Sequence, residues 1–270
     1  MVGVIGEMKR KLKKIFFLTM VVVLAISIVA CGDGSTMKKI EKSGKLVIGT
    51  SADYPPYEYH ALINGKDTIV GVDISIAEEI SKDLGVQLEI VEMGYEELLP
   101  ELNNDKVDIV ISGMVPDEER IKSADFSKTY YQAKQGVMVR AEDKEKIKSV
   151  EDLKDKKVGV QPGTVQEKIA KEQIKDAEII TLGKISDIIV ELKEKRIDAM
   201  VIELPVAKDY EKNNNDLSLS EVQVKEETGG FAVAVKKGND ELLKMIDQSL
   251  DRIMMDGSID RFVREANALK

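Results

Sequence analysis

The sequence predicts an α/β protein of two similar lobes. Short β-branched runs alternate with segments of helical period, the alternation restarts midway, and one stretch of the first half nearly repeats in the second. In order, the pattern places a strand at 46–50, a helix at 74–84 stopped by Gly85, a strand at 87–91, a helix at 95–103 and a strand at 107–112. After a charged stretch at 140–148 the plan resumes with a strand at 157–160, a helix at 164–173, a strand at 178–182, a helix at 186–195 and a strand at 199–202. A strand at 230–235 and helices at 241–255 and 259–267 follow, and these are expected to pack back on the first lobe. Lobe 1 is then 45–132 with 229–270, lobe 2 is 133–228, and the chain crosses between them twice, which makes a hinge.

The near-repeat gives this plan its strongest support. LLPELNNDKVDIVISG from Leu98 and IIVELKEKRIDAMVIE from Ile188 align without gaps, so that Glu101, Leu102 and Asp108 return as Glu191, Leu192 and Asp198. The alignment makes Gly113 and Glu203 equivalent, each at the carboxyl end of a buried strand, where open α/β sheets place ligands.

Composition removes several functional classes. The 270 residues carry a formal charge of −9, no Trp, one Cys and one His. An acidic chain poor in aromatics lacks the basic surface and stacking platforms that nucleic acid needs. One cysteine and one histidine exclude a disulfide framework and most zinc sites, so neither metal nor cofactor is expected. His60 sits in a polar stretch and reads as an exposed loop residue rather than a catalytic base. No Gly-rich phosphate loop follows a strand.

The first thirty residues differ from the rest. Lys9, Arg10, Lys11, Lys13 and Lys14 lead into an uncharged stretch from Ile15 to Ala30, a layout of basic and then apolar residues that reads as a secretory signal. The apolar stretch is short for a membrane span, which needs about 20 residues. Ile28-Val29-Ala30-Cys31 resembles a bacterial lipobox, which implies a lipid on Cys31 and a place on the outer face of the cell membrane. Residues 31–44, rich in Gly, Ser and Lys, are expected to be a tether.

Two places suit an anion. In ISGMVPDEER the strand ends in small residues, and Pro116-Asp117 turns the chain before Arg120, whose guanidinium fork matches a carboxylate. Gly163-Thr164 opens a helix straight after a strand, where free N–H groups also favour negative charge. Glu203, at its strand's end, favours a cation.

These residues also carry a family resemblance. IGTSADYPPYEY, GVDISIAEEI, DIVISGMVPDEERIKSADFSKTYY, VGVQPGT and DAMVIELPVA, in this order from about Lys45 onward, resemble the bacterial extracellular solute-binding proteins of family 3, which capture polar amino acids for ABC importers. The resemblance implies the type II periplasmic-binding-protein-like fold. It makes Arg120 the partner of the ligand α-carboxylate, with N–H groups around Val115 and Val165, and Glu203 the partner of the α-ammonium with the Gly113 carbonyl. Tyr54 and Tyr95 would sandwich the ligand side chain, Ser51, Ser112 and Gln161 would add polar contacts, and Asp73 and Phe126 would be scaffold. Val115 and Val165 stand where many relatives have hydroxyls, and Ser51 stands where some basic-amino-acid binders have aspartate.

A zwitterion bridging Arg120 of one lobe and Glu203 of the other would favour the closed form. A side chain held between two tyrosines points to arginine, lysine or histidine. The expected partners are that amino acid, a membrane-embedded ABC permease with its ATPase, and the membrane through Cys31, with the protein a monomer. Glutamine or another polar amino acid is an alternative ligand. Two other classes remain: a cyclohexadienyl or arogenate dehydratase on the same fold, with Glu58 or Glu203 as general acid, and the sensing module of a receptor.

Overall fold

The computed structural model describes residues 36–132, 134–225 and 229–269. The signal-peptide and lipid-anchor expectations for residues 1–30 and Cys31 lie outside the described residues. Among the described residues no helix is long and apolar enough to cross a membrane.

Two five-stranded sheets carry the fold. In the first, strands β5 (Gln87–Glu92), β1 (Lys45–Thr50), β6 (Ile109–Val110), β13 (Ala234–Lys236) and β7 (Ala124–Phe126) lie side by side in that order. In the second the order is β10 (Glu178–Thr181), β9 (Lys157–Val160), β11 (Ala199–Glu203), β8 (Gln135–Arg140) and β12 (Leu217–Leu219). Both have three parallel strands at one side and an antiparallel strand next to them, β13 in one and β8 in the other. Central strands covered on both faces must be apolar along their length, and Leu46, Ile48, Ile109, Val158, Val160 and Val201 are all buried.

The helices lie on the sheets for the reason their period suggests. Val72–Asp83 places Val72, Ile76 and Ile80 on one buried face, and Gly85, with φ 69°, ends it in the left-handed conformation that glycine adopts without a Cβ clash. Asp240–Met255 and Ser258–Ala268 pack on this helix and on one another.

The near-repeat has a structural counterpart. Asp108 accepts from the Val47 N–H at 2.9 Å, and Asp198 accepts from the Lys157 N–H at 2.9 Å, so each carboxylate ties the start of the third parallel strand to the first parallel strand of its sheet. Asp105 and Lys195, equivalent in the alignment, both have positive φ, 60° and 63°.

Several boundaries differ from expectation. The tether gives way at Thr36–Ser43 to a helix that buries Ile40, packs Met37 on the same core and places the Lys39 ammonium 2.8 Å from Asp108, because two apolar residues three apart dock an otherwise polar turn. The helix expected at 95–103 is a 3₁₀ turn, Tyr95–Glu97, followed by Leu98–Asn103, where Pro100 lies in the first turn and loses no helical hydrogen bond. The strands expected at 107–112 and 230–235 shorten to β6 and β13 in the ladders. His60 is on a strand rather than a loop: β2 (Asp53–Tyr54), β3 (Glu58–Ile63) and β4 (Lys66–Val70) form a separate antiparallel sheet, turned at Asn64-Gly65 with φ 52° and 79°, the signature of a type I′ hairpin.

The chain leaves the first sheet after β7 and returns after β12. The two connections run side by side, with the Tyr130 N–H donating to the Phe231 carbonyl at 2.9 Å and the Phe231 N–H to the Tyr131 carbonyl at 2.7 Å. Gly230 is required here, since a Cβ would lie 1.7 Å from the Tyr131 carbonyl oxygen.

Candidate ligand-binding cleft

A narrow cavity lies between the sheets, at the carboxyl ends of their parallel strands. The first half supplies Ser51 just past β1, Ser112, Gly113 and Val115 past β6, the rings of Tyr54 and Tyr95, and the carboxyls of Asp53 and Glu58. The second half supplies Gln161 past β9, Thr164, Val165 and Gln166 at the start of helix Val165–Gln173, Ile185, and Val201 and Ile202 of β11. Seven of the lining residues are polar or acidic, two are tyrosines and five are aliphatic. Among the described residues no lysine or arginine lines the cavity.

Arg120 and Glu203 are not among the lining residues: Arg120 bonds to lining Val115, and Glu203 follows lining Ile202 on β11. Arg120 is 7% exposed and is oriented by its own N–H donating to Asp117 at 2.8 Å. Its guanidinium donates to the Val115 carbonyl at 2.6 Å and to the Gly163 carbonyl of the other half, and its carbon lies 5.5 Å from the centre of the Tyr95 ring. Glu203, fully buried at the end of β11, accepts from the Tyr57 hydroxyl at 2.9 Å. Thr164 caps its helix, accepting from the Glu167 N–H at 3.2 Å and donating to the Gln161 carbonyl at 2.7 Å. Gln161 donates to the Gly183 carbonyl at 2.9 Å. Val115 and Val165 present methyl groups, so any polar contact there uses backbone.

Hydrogen bonds across the cleft draw the halves together. Besides Arg120 to Gly163 and Tyr57 to Glu203, Gln166 donates to the Tyr54 hydroxyl at 3.0 Å, and the Ile185 N–H donates to Asp53 at 2.7 Å. Ile185 opens the helix Ile185–Lys193, so the Asp53 carboxylate also sits at a positive helix end. Burial, opposed by the Ile185 N–H and the Ser51 hydroxyl, raises the Asp53 carboxyl above its ordinary range. The structure is therefore a closed form.

Asp53, Glu58, Tyr57, Gln166, Ile185, Val201 and Ile202 were not among the ligand contacts read from the sequence. Asp53 had a signal: it is the one carboxylate in SADYPP, two residues beyond Ser51. Glu58 reaches the cavity only because the hairpin folds beside the first sheet.

A cleft between two hinged α/β lobes, closed by bonds from both, defines a binding protein for a small polar molecule. The chain belongs to the bacterial extracellular solute-binding proteins, family 3, whose family model matches residues 46–266. It is 35% identical over 257 residues to the arginine-binding extracellular protein ArtP of Bacillus subtilis (strain 168), covering 94% of this chain and 98% of that one. The crystal structure of an amino acid ABC transporter substrate-binding protein from Streptococcus pneumoniae Canada MDR_19A bound to L-arginine superposes with a TM-score of 0.85 at 34% identity, over 87% of this chain and 99% of that one. The ancestral amino acid-binding protein AncCDT-1, described as a precursor of cyclohexadienyl dehydratase, superposes with a TM-score of 0.78 at 38% identity, over 86% and 99%.

Proposed function

We propose that this protein captures a basic amino acid, arginine foremost, outside the cytoplasm and delivers it to an ABC importer. One observation carries the choice of ligand. The cavity wall holds two carboxyls, Asp53 and Glu58, and two aromatic rings, Tyr54 and Tyr95, with no lysine or arginine among its described lining residues. A cationic side chain answers both features, through ionic contact and through cation–π attraction of about 0.5–2 kcal/mol. The resemblance to ArtP and to the arginine-bound pneumococcal structure supports the same ligand.

The α-carboxylate takes the Arg120 fork, exchanging the Val115 and Gly163 carbonyls for a charged acceptor. The α-ammonium takes Glu203 with the Gly113 carbonyl, and Ser51, Ser112, Gln161, Thr164 and the Val115 and Val165 backbone complete the shell. Because these groups come from both lobes, ligand favours the closed form, which the permease reads. A lipid on Cys31 holds the protein at the membrane.

Calorimetry with arginine, lysine, histidine, citrulline and glutamine tests the ligand. Arg120→Ala is expected to abolish binding and His60→Ala to leave it intact; unchanged affinity in the Arg120 variant refutes the site. Cys31→Ser is expected to release the protein from the membrane, and persistent lipid labelling of that variant refutes the anchor.

A dehydratase is the second reading, favoured by Glu58, whose carboxyl burial pushes well above its ordinary range beside the cavity. Consumption of prephenate or arogenate by the purified protein would put it first.

A further inference from the structure

Two glutamines of the second lobe reach towards a tyrosine of the first. Gln135, 6% exposed, is the first residue of β8, just after the chain crosses from the first sheet, and lies opposite Glu203 on β11. Gln166, the second residue of helix Val165–Gln173, is half-buried and lines the cavity, whereas Gln135 is not among the lining residues. Gln166 Nε2 donates to the Gln135 side-chain oxygen at 2.9 Å and to the Tyr54 hydroxyl at 3.0 Å. An amide nitrogen carries two hydrogens, so both are committed, one within the second lobe and one across the cleft. Gln135 thereby decides which way the Gln166 amide faces, because turning that amide over sets two carbonyl oxygens against each other.

Tyr54 is the group this relay holds. Within its own lobe Tyr57 stacks on the ring, with centroids 6.0 Å apart and planes at 30°. That contact supports the ring's side. The bond from Gln166 holds its far end, where a small rotation of the ring moves the hydroxyl most, and so sets the tilt that remains. Tilt matters more to one basic side chain than to another. A guanidinium is planar and gains most when it lies flat on an aromatic face, whereas an ammonium is a compact point charge with rotatable donors and tolerates a tilted ring.

We propose that Gln135, acting through Gln166, is a positioning residue that sets the tilt of the Tyr54 ring, and that this relay makes the cleft select arginine over lysine. It rests on the basic-amino-acid reading and extends it from the class of ligand to the choice within that class. Since Gln135 does not line the cavity, its influence on that choice passes through Gln166. A disturbance passed instead to Glu203, its neighbour on β11, weakens both ligands alike, because arginine and lysine share their α-groups.

The experiment is calorimetry with arginine and lysine on the unmodified protein, on Gln135→Met, Gln166→Met and Tyr54→Phe, and on the double variant Gln135→Met with Tyr54→Phe. Methionine keeps the length of glutamine and removes its amide. Each single variant is expected to lower arginine affinity about 3- to 10-fold more than lysine affinity, the effect of about one oriented hydrogen bond. The double variant is expected to lower the arginine-to-lysine ratio no further than Tyr54→Phe does, since both changes break one chain of contacts. Thermal unfolding of the ligand-free variants checks their folding, and Gln166→Met carries the test should Gln135→Met fail to fold. No preference for arginine in the unmodified protein, equal losses for the two amino acids, or additive losses in the double variant overturns the relay and leaves the basic-amino-acid reading intact. Failure of both arginine and lysine to bind while a neutral amino acid does so overturns both.

Discussion

Removing the Tyr57 hydroxyl should make closure harder without disturbing either lobe. Tyr57 belongs to the first lobe and its hydroxyl donates at 2.9 Å to Glu203 of the second, so the bond exists only when the cleft is shut. In Tyr57→Phe the ring keeps its edge contacts with Phe231, centroids 5.1 Å apart, and with Tyr131, 5.2 Å apart, so packing on the hinge is unchanged. A hydrogen bond to a charged acceptor contributes about 1.5–3 kcal/mol net. In the open form water replaces it, so the whole loss falls on the closed form. At 1.36 kcal/mol per decade this weakens closure, and with it arginine affinity, by about 10- to 150-fold. Calorimetric Kd values and small-angle scattering with and without arginine measure the two quantities. A Kd within twofold of the unmodified protein, with the same compaction on adding ligand, would refute the reasoning.

Other perturbations act on the scaffold. Gly71→Ala should cost about 2–4 kcal/mol of stability by thermal unfolding, since the residue has φ 135° and a Cβ would meet the Tyr57 carbonyl oxygen at 2.1 Å. Arg140 is buried with its guanidinium on the Leu192 and Ile197 carbonyls at 2.9 and 2.6 Å and on Asp143 at 2.7 Å, so Arg140→Ala should lower the urea midpoint by the equivalent of about 3–5 kcal/mol. The fraction that remains folded should bind arginine normally. His60 lies between Asp67 and Glu92; burial lowers its pKa, but the two carboxylates outweigh it and the net shift is upward from 6.5. A raised value means the stabilisation is fully present below about pH 6.5 and fades as the pH rises through the folded value. With the ring 41% exposed it amounts to less than about 1 kcal/mol, and His60→Ala should flatten that slope in pH-dependent denaturation.

Much of the scaffold was legible because its signals are local. KLVIGT, KVGV and AMVIE are continuous apolar runs, and such runs suit strands covered on both faces. The repeat was legible because both copies solve one problem, closing a helix with a left-handed residue and tying the next strand to the first through Asp108 or Asp198. The helix Thr36–Ser43 was illegible because only Met37 and Ile40 dock it, and two apolar positions in eight residues are too few to show a period. The hairpin from β2 to β4 was missed although Asn64-Gly65 is a strong turn signal. Its strands alternate weakly, with only Glu58 and Tyr59 buried in β3.

The candidate site divides in the same way. Residues at the carboxyl ends of parallel strands, such as Ser51, Ser112 and Gln161, follow from the alternation of strands and helices, since strand ends converge wherever such a sheet forms. The sequence therefore determined by itself that there are two sheets, which strand ends face each other and which residue types stand there. Only the tertiary structure decided that Asp53 would meet a helix N-terminus 132 residues away, that Tyr57 would reach Glu203, and that Glu58 and Asp73 would be buried against Ser112 and Gly113. Periodicity is a property of neighbouring residues, whereas such contacts arise only when distant segments exclude water from between them.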